Sequence, residues 1–179
     1  MLLPEDVRAR LDAETRRLKP LARDVAWIAP ANLHLTLKFL GAVDPTCVDA
    51  IVAALARGAA GAAPFDVVLA GLGAFPSPAR PRVIWAGTSE GRAPLGALAG
   101  ALDEALAGLG FPRETRAFSA HVTLGRMREP ARDPGLAAAL AAAKDAPLGV
   151  VRVCRVSLMR SELSPDGARY TELAGIALG

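Results

Sequence analysis

The stretches Asn32-Leu33-His34-Leu35-Thr36-Leu37-Lys38-Phe39 and Ser119-Ala120-His121-Val122-Thr123-Leu124-Gly125-Arg126 follow the same pattern of polar and apolar residues. Together they hold both histidines of the chain, and each histidine precedes a threonine by two residues. Residues i and i+2 lie on the same face of a β-strand. Each stretch therefore predicts a strand that presents one imidazole and one hydroxyl side by side.

The two pairs together favour a catalytic site over two unrelated histidines. A single histidine-x-threonine has an ordinary explanation, a half-buried, satisfied histidine beside a threonine that suits a strand. Two copies are harder to explain in this way. Facing strands would supply a base, an acid and two hydroxyl donors, which can open a cyclic phosphate without a metal ion. We therefore predict His34 and His121 as catalytic residues, and Thr36 and Thr123 as phosphate-binding residues.

The composition indicates one domain over residues 1–179 and favours an anionic substrate. A chain of 179 residues can bury a sizeable core. Its formal net charge is +3, and arginine supplies nearly all of the positive charge. Arginine binds phosphate through its planar, bidentate guanidinium. An arginine-rich, lysine-poor composition also arises from a GC-rich genome, so the bias alone does not indicate nucleic acid.

Cysteine usage and hydropathy predict a cytoplasmic protein. Cys47 and Cys154 lie far apart and form no Cys-x-x-Cys motif, which favours reduced thiols over a disulfide framework or a zinc site. The first residues lack a signal peptide, and the longest apolar region, 93–109, is interrupted by Asp103-Glu104. We expect a monomer with no membrane segment, no metal and no cofactor.

Helical and strand-forming segments alternate along the chain in an order that repeats. Helices are predicted at Pro4–Leu18, from Asp44-Pro45 through Leu55, at Pro94–Leu109 and from Asp133-Pro134 to Lys144. Strands are predicted at Val25–Ile28, Leu33–Leu40, Phe65–Leu72, Arg82–Thr88, Ala117–Met127, Leu148–Leu158 and Arg169–Leu178. A Pro-rich connection at Phe75–Pro81 and a turn at Ser164–Gly167 link neighbouring strands.

This order predicts an α+β fold with a pseudo-twofold internal duplication. The strand segments alternate between apolar and polar residues, which favours antiparallel sheets with one face exposed. We expect a bilobal domain of two comparable lobes, each an antiparallel sheet with helices outside. A central cleft between the lobes would be lined by the polar faces of the two histidine strands.

Several segments resemble the two-histidine (2H) phosphoesterases, and within them the RNA 2′,3′-cyclic phosphodiesterases, also called 2′-5′ RNA ligases. These segments, which cover most of the chain, are Leu3–Arg8, Asn32–Gly41, Pro81–Gly87, His121–Arg126 and Val156–Leu163. Members of that family usually begin with a short apolar strand before the Leu-Pro-Glu segment, whereas this chain starts at Met1-Leu2-Leu3. Either the start lies further upstream, or one sheet lacks a strand and has an unpaired edge.

The resemblance implies metal-independent hydrolysis of RNA 2′,3′-cyclic phosphate ends to 2′-phosphate ends. It implies that His34 protonates the leaving 3′-oxygen and His121 activates water, and the reverse assignment stays open. A 5′-hydroxyl in place of water would give 2′-5′ ligation, although hydrolysis should dominate. The sequence has neither a phosphate-binding Gly-x-x-x-x-Gly-Lys loop nor a Lys-x-Asp-Gly adenylation motif, so no ATP use is predicted.

Three cationic residues are further candidates for substrate contacts. Strand parity places Lys38 on the face of His34, although a solvated lysine explains it equally well. The resemblance favours a contact from Arg126, but its parity is opposite to that of His121 unless the strand bends near Gly125. Arg82 could meet an RNA phosphate or lie in a solvated loop. Four aromatic residues could stack on a base, although core packing is the usual role: Trp27, Phe39, Trp85 and Tyr170.

Two other functions stay open at this point. The same site could act on a small nucleotide, such as an ADP-ribose cyclic phosphate or a 2′-5′ oligoadenylate. Alternatively, the chain could be a non-catalytic RNA-binding module with a basic cleft. Binding alone does not need two groups that titrate near neutral pH, and the two histidines therefore favour an enzyme.

Overall fold

The computed structural model describes residues 1–22, 24–129, 132–164 and 167–179. The helices of this part of the chain are α1 (Glu5–Leu18), α2 (Val48–Ala59), α3 (Arg92–Ala107) and α4 (Pro134–Ala142). Its strands are β1 (Val25–Trp27), β2 (Phe65–Ser77), β3 (Arg80–Glu90), β4 (Val122–Met127), β5 (Pro147–Val153), β6 (Arg155–Ser164) and β7 (Gly167–Ala177). No helix within these residues is both long and apolar enough to cross a membrane.

The strands form two antiparallel sheets. One has five strands in the order β1-β4-β3-β2-β5, and the other is the β6-β7 hairpin. The α+β class and the antiparallel sheets are confirmed. The two sheets are unequal, however, whereas the sequence pattern predicted comparable lobes. The strand predicted at 148–158 is in fact two strands, because the chain leaves the larger sheet at Cys154 and continues into the smaller one.

Helix positions agree well with the sequence, and two of the predicted starts carry a local capping signal. Two predicted N-caps are confirmed: Asp44 Oδ1 accepts from the Thr46 amide at 2.8 Å, and Asp133 Oδ1 accepts from the Leu136 amide at 2.9 Å. Apolar residues at helical spacing then form the buried side of each helix, as with Val7 and Leu11 in α1. A short 3₁₀ turn separates the Asp44 cap from α2.

Further predictions needed correction. The strand predicted at 117–127 begins only at Val122, so His121 precedes it. The Pro-rich stretch is not a separate connection, because β2 runs through Ser77 and β3 begins at Arg80 to give one long hairpin. The strand predicted at 33–40 is reduced to two isolated bridges, Leu2 with His34 and Leu35 with Val122. The predicted turn at 164–167 includes residues 165 and 166, which lie outside the described residues.

Candidate active site

A single antiparallel bridge brings the two histidine stretches together. Leu35 pairs with Val122, which is the first residue of β4. Extending this register by one residue in each direction places His34 opposite Thr123 and Thr36 opposite His121. Residues directly opposite each other share a face, with Cβ atoms about 4.5–5.5 Å apart. Each imidazole therefore lies beside the threonine of the other stretch.

Burial separates this polar face from the core. Leu35 is 1% exposed and Val122 is fully buried, so the side chains of the bridge itself point inward. Because neighbouring residues of a strand point to opposite faces, the two histidines and two threonines point outward. Both histidines are half-buried, and so is Thr123, whereas Thr36 is exposed. The four residues predicted from the sequence thus line one open surface.

Each imidazole is held by the same local hydrogen bond. Nδ1 of His34 donates to the carbonyl of Asn32, and Nδ1 of His121 donates to the carbonyl of Ser119, both at 2.7 Å. A carbonyl only accepts, so Nδ1 carries the proton in both rings. Nε2 is left with a lone pair in the neutral ring and with a proton in the charged ring. In both rings Nε2 is therefore the nitrogen that is left for a bound molecule.

An aromatic ring meets each imidazole at its edge. Tyr170 in β7 lies 4.8 Å from His34 between ring centroids, and Phe75 in β2 lies 5.3 Å from His121. The smaller sheet is tied to the first stretch, because the Asn32 side chain donates to the Ala168 carbonyl at 2.7 Å. The β6-β7 hairpin thus contacts His34 and the β2-β3 hairpin contacts His121. This arrangement agrees with the internal duplication predicted from the sequence.

Burial lowers the pKa of His34 below the ordinary value of 6.5. The hydrogen bond to the Asn32 carbonyl opposes this shift, whereas the positive charge of the Met1 amino group adds to it. That amino group donates to the Leu35 carbonyl at 2.8 Å. Its own pKa is lowered to about 6 by burial, against the raising effect of Glu172. An anion bound at this surface would favour the charged form of His34.

A bulge in β4 places Arg126 on the same face as the histidine-threonine pairs. Trp85 of β3 pairs with Thr123, but the preceding residue, Ile84, pairs with Gly125. Leu124 is therefore an extra residue, and it changes the side-chain alternation of the strand. Arg126 is exposed, whereas Leu124 is fully buried. The opposite parity expected for Arg126 from a regular strand is thus wrong, and the bend considered near Gly125 exists.

Lys38 does not lie where strand parity places it. The chain leaves the strand conformation after Leu35, so the alternation that links Lys38 to His34 ends there. Its side chain is 6% exposed, and Nζ donates to the Asp103 carboxylate of α3 and, at 2.7 Å, to the Pro112 carbonyl. This ion pair ties the segment after His34 to α3, and the charge of Lys38 is not directed at the open surface.

The remaining candidates occupy different environments. Arg82 is exposed and is the extra residue of a second irregularity, where Phe75 pairs with Val83 and Pro76 with Pro81. Trp27 packs against the core, next to Gly125. Phe39 is 77% exposed, which contradicts the usual core role for a large aromatic residue.

Sequence reasoning missed an aromatic cavity beside His121. It has a volume of about 350 Å³ and is lined by residues that include Phe75, Trp85, Phe118, Thr88 and Arg92. Trp85 can lie flat here because Gly73, its partner in β2, has no side chain; a Cβ there would overlap the indole. Phe75 had been placed in a proline-rich connection, and Phe118 is remote in sequence, so no local pattern indicated this cavity.

Comparison with known proteins identifies the family. The model of the LigT-like phosphoesterases matches the chain twice, over residues 2–85 and 87–170. The chain belongs to this family. The two matches, one in each half and each with one histidine-x-threonine stretch, confirm the internal duplication predicted from the order of elements.

Relatives of this LigT-like phosphoesterase are similar over nearly their whole length. A protein of Methanothermobacter thermautotrophicus named RNA 2′,3′-cyclic phosphodiesterase is 34% identical over 96% of this chain and 92% of its own. A protein of the same name from Aeropyrum pernix is 35% identical over 79% of this chain and 80% of its own.

Solved structures have the same fold. The crystal structure of TT0787 of Thermus thermophilus matches with a TM-score of 0.79 and 31% identity, over 98% of this chain and 93% of that chain. The crystal structure of E. coli LigT complexed with 3′-AMP matches with a TM-score of 0.78 and 26% identity, over 99% of this chain and 94% of that chain. The fold of this LigT-like phosphoesterase is thus that of these solved structures.

Proposed function

We propose that this protein hydrolyses RNA ends that carry a 2′,3′-cyclic phosphate and leaves a 2′-phosphate. The observation that carries the proposal is the Leu35–Val122 bridge, which joins the two histidine-threonine stretches. Relatives named RNA 2′,3′-cyclic phosphodiesterase support the substrate class. The substrate is a strained diester with one negative charge, and the positive net charge of the chain suits it.

Two imidazoles supply the proton transfers of ring opening. In this mechanism Nε2 of neutral His121 accepts a proton from water as the water oxygen attacks phosphorus. The bond from phosphorus to the ribose 3′-oxygen breaks, and Nε2 of protonated His34 gives its proton to that oxygen. General acid and base catalysis each contribute about 10²–10⁴-fold. Hydrogen bonds from Nδ1 to Asn32 and Ser119 keep both Nε2 atoms available for this role.

Three side chains would stabilise the phosphorane-like transition state. The hydroxyls of Thr36 and Thr123 lie beside the opposite imidazoles and would donate to the non-bridging oxygens, where negative charge increases. The guanidinium of Arg126 would bind the same oxygens, because the bulge at Leu124 places it on their face. Hydrogen bonds aimed at developing charge strengthen as the reaction proceeds.

The base of the terminal nucleotide would stack on Phe39. This residue is 77% exposed, so its ring is open to a base, and it follows Thr36 by three residues in the sequence. Stacking on an aromatic ring does not discriminate among bases, because every base offers a π-face. We therefore expect hydrolysis of ends that carry any of the four bases.

The test is incubation of an RNA with a 2′,3′-cyclic phosphate end in the presence of EDTA, followed by mapping of the product phosphate. We expect a 2′-phosphate at the same rate with and without EDTA. His34→Ala and His121→Ala should each lower the rate by at least about 10²-fold while RNA binding is retained. No reaction, a 3′-phosphate product, strict metal dependence or full activity in both variants would refute the proposal.

A further inference from the structure

The aromatic cavity beside His121 adjoins the surface assigned to the cyclic phosphate, because its wall residue Trp85 pairs with Thr123. Val122 has Leu35 as its partner on one side and Ala86 of β3 on the other. The His34 stretch is therefore on one side of β4, and the cavity, which is lined by Trp85 and Gly87 of β3, is on the other. His121 precedes β4 and borders both regions. Phe39 belongs to the His34 side.

We infer that this cavity binds the alcohol that replaces water when the enzyme joins RNA ends, and that this alcohol is a nucleoside with a free 5′-hydroxyl. The inference rests on the proposed function, in which His121 activates the nucleophile. The attacking and leaving oxygens of a phosphoryl transfer are roughly in line, on opposite sides of phosphorus. A nucleophile must then approach from the side of His121, where the cavity lies.

The chemistry of the walls suits a nucleoside. Phe75, Trp85 and Phe118 offer aromatic surface for a base. The volume of about 350 Å³ is at the lower end for small-molecule sites and suits one nucleoside.

Arg92 adds a positive charge at the place where an acceptor strand would continue. Its Nε donates to the Thr88 carbonyl at 2.6 Å, and this bond orients the guanidinium within the cavity lining. A strand that begins with a 5′-hydroxyl carries its first phosphate on the 3′ side of that nucleoside. A guanidinium is well suited to bind such a phosphate.

The joining step balances without an energy-rich cofactor. Nε2 of His121 accepts the proton of the 5′-hydroxyl as its oxygen forms a bond to phosphorus. The bond from phosphorus to the 3′-oxygen of the other strand breaks, and His34 protonates that oxygen. The product is a 2′-5′ phosphodiester, and release of ring strain drives the step. No oxidation or reduction occurs.

The experiment supplies cyclic-phosphate RNA with increasing concentrations of 2′,3′-dideoxyadenosine, whose one hydroxyl group is at the 5′ position. The ratio of joined to hydrolysed product should rise and then saturate, as expected for a bound acceptor. Methanol serves as an alcohol without a base, and its joined product should increase linearly. Saturation by methanol at the same concentration, or no joined product with dideoxyadenosine, would overturn the inference.

A variant that fills the cavity tests its location. Ala117 is exposed and lines the cavity, so Ala117→Trp should lower the joined-to-hydrolysed ratio at least about tenfold, equivalent to 1.4 kcal/mol of lost binding. Hydrolysis without acceptor should change less than about twofold, because water needs no such site. Ala138→Trp, at an exposed alanine of α4, is the matched control and should alter neither product.

The outcomes separate this inference from the proposed function. If the wild-type protein does not hydrolyse the cyclic phosphate, the proposed function fails. If hydrolysis proceeds but Ala117→Trp leaves the ratio unchanged, the cavity is not the acceptor site. If Ala117→Trp instead raises the KM for a long cyclic-phosphate RNA but not for a mononucleoside cyclic phosphate, the cavity binds the upstream part of the substrate, which also overturns the inference.

Discussion

At the scale of the residue, Arg126 depends on one extra amino acid for its position. Without the bulge at Leu124, regular alternation would turn its guanidinium away from the histidine-threonine pairs. We predict that Arg126→Gln lowers kcat/KM by about 10²–10³-fold, the usual cost of losing a donor to a developing oxyanion. Arg128→Gln, a matched change at another exposed arginine, should have little effect. Equal losses in both variants, measured by steady-state kinetics, would indicate a general electrostatic effect instead.

The lowered pKa of His34 predicts a specific pH profile. If His34 is the acid, it must be protonated, so kcat/KM should fall as pH rises through a pKa below 6.5. The bound phosphate favours the charged imidazole, so the corresponding fall in kcat should come at higher pH. NMR titration of the His34 ring should show the low pKa directly, and inorganic phosphate should raise it.

The same profile decides which histidine has which role. In His121→Ala the residual activity should retain the limb that belongs to His34. A residual rate that decreases with pH assigns His34 as the acid, as proposed. A residual rate that increases with pH would reverse the two roles and would contradict the mechanism given above.

At the scale of the element, the segment after His34 is held by a tertiary ion pair and not by a strand. Lys38→Met leaves Asp103 and the Pro112 carbonyl without their charged donor. We predict a free energy of unfolding lower by about 1–2 kcal/mol, measured by denaturant unfolding, with kcat/KM within about threefold of wild type. A large loss of activity with unchanged stability would instead indicate that Lys38 contacts the substrate in the cleft.

The pH dependence of this variant gives a second readout. The hydrogen bond from Lys38 holds the pKa of the Asp103 carboxyl below its usual 3.8. Stability from a carboxyl with a lowered pKa is present above 3.8 and is lost as pH falls through the folded-state value. The difference between Lys38→Met and wild type should therefore shrink in acid. Lys144→Met, where the side chain is 77% exposed, should match wild type throughout.

For the whole molecule, which carries a positive net charge, the salt dependence of activity distinguishes an RNA substrate from a small nucleotide. Binding that neutralises several phosphates weakens steeply with salt, whereas binding of one phosphate weakens little. We predict that kcat/KM for an RNA oligonucleotide falls much more with added salt than kcat/KM for a mononucleoside cyclic phosphate. Equal salt dependence would favour the small-nucleotide substrate that the sequence left open.

The sequence predicted the features that are encoded by residues close together in the chain. Asp44 and Asp133 mark helix starts through caps that form within three residues, so those helices were found. The end of the strand at Leu35 has no such signal, because Leu37 and Phe39 continue the apolar alternation. The chain leaves this alternation where Lys38 contacts Asp103, and these two residues are 65 positions apart in the sequence.

In the candidate site, too, the features local in sequence were predicted and those that depend on tertiary contacts were not. Each histidine-threonine pair was found because its two residues are neighbours in sequence. Their mutual arrangement depends on the Leu35–Val122 bridge, which no local pattern encodes. The aromatic cavity was missed for this reason as well, since Phe75, Trp85 and Phe118 come from three separate segments.

In the proposed mechanism, two imidazoles act on opposite sides of one phosphorus atom. The most direct measurement is a crystal structure with a uridine–vanadate complex, which mimics the five-coordinate transition state. We predict Nε2 of His34 and Nε2 of His121 each within about 2.6–3.2 Å of an apical oxygen, one on either side of vanadium. Vanadate bound beside only one histidine, or with both rings on the same side, would contradict the account.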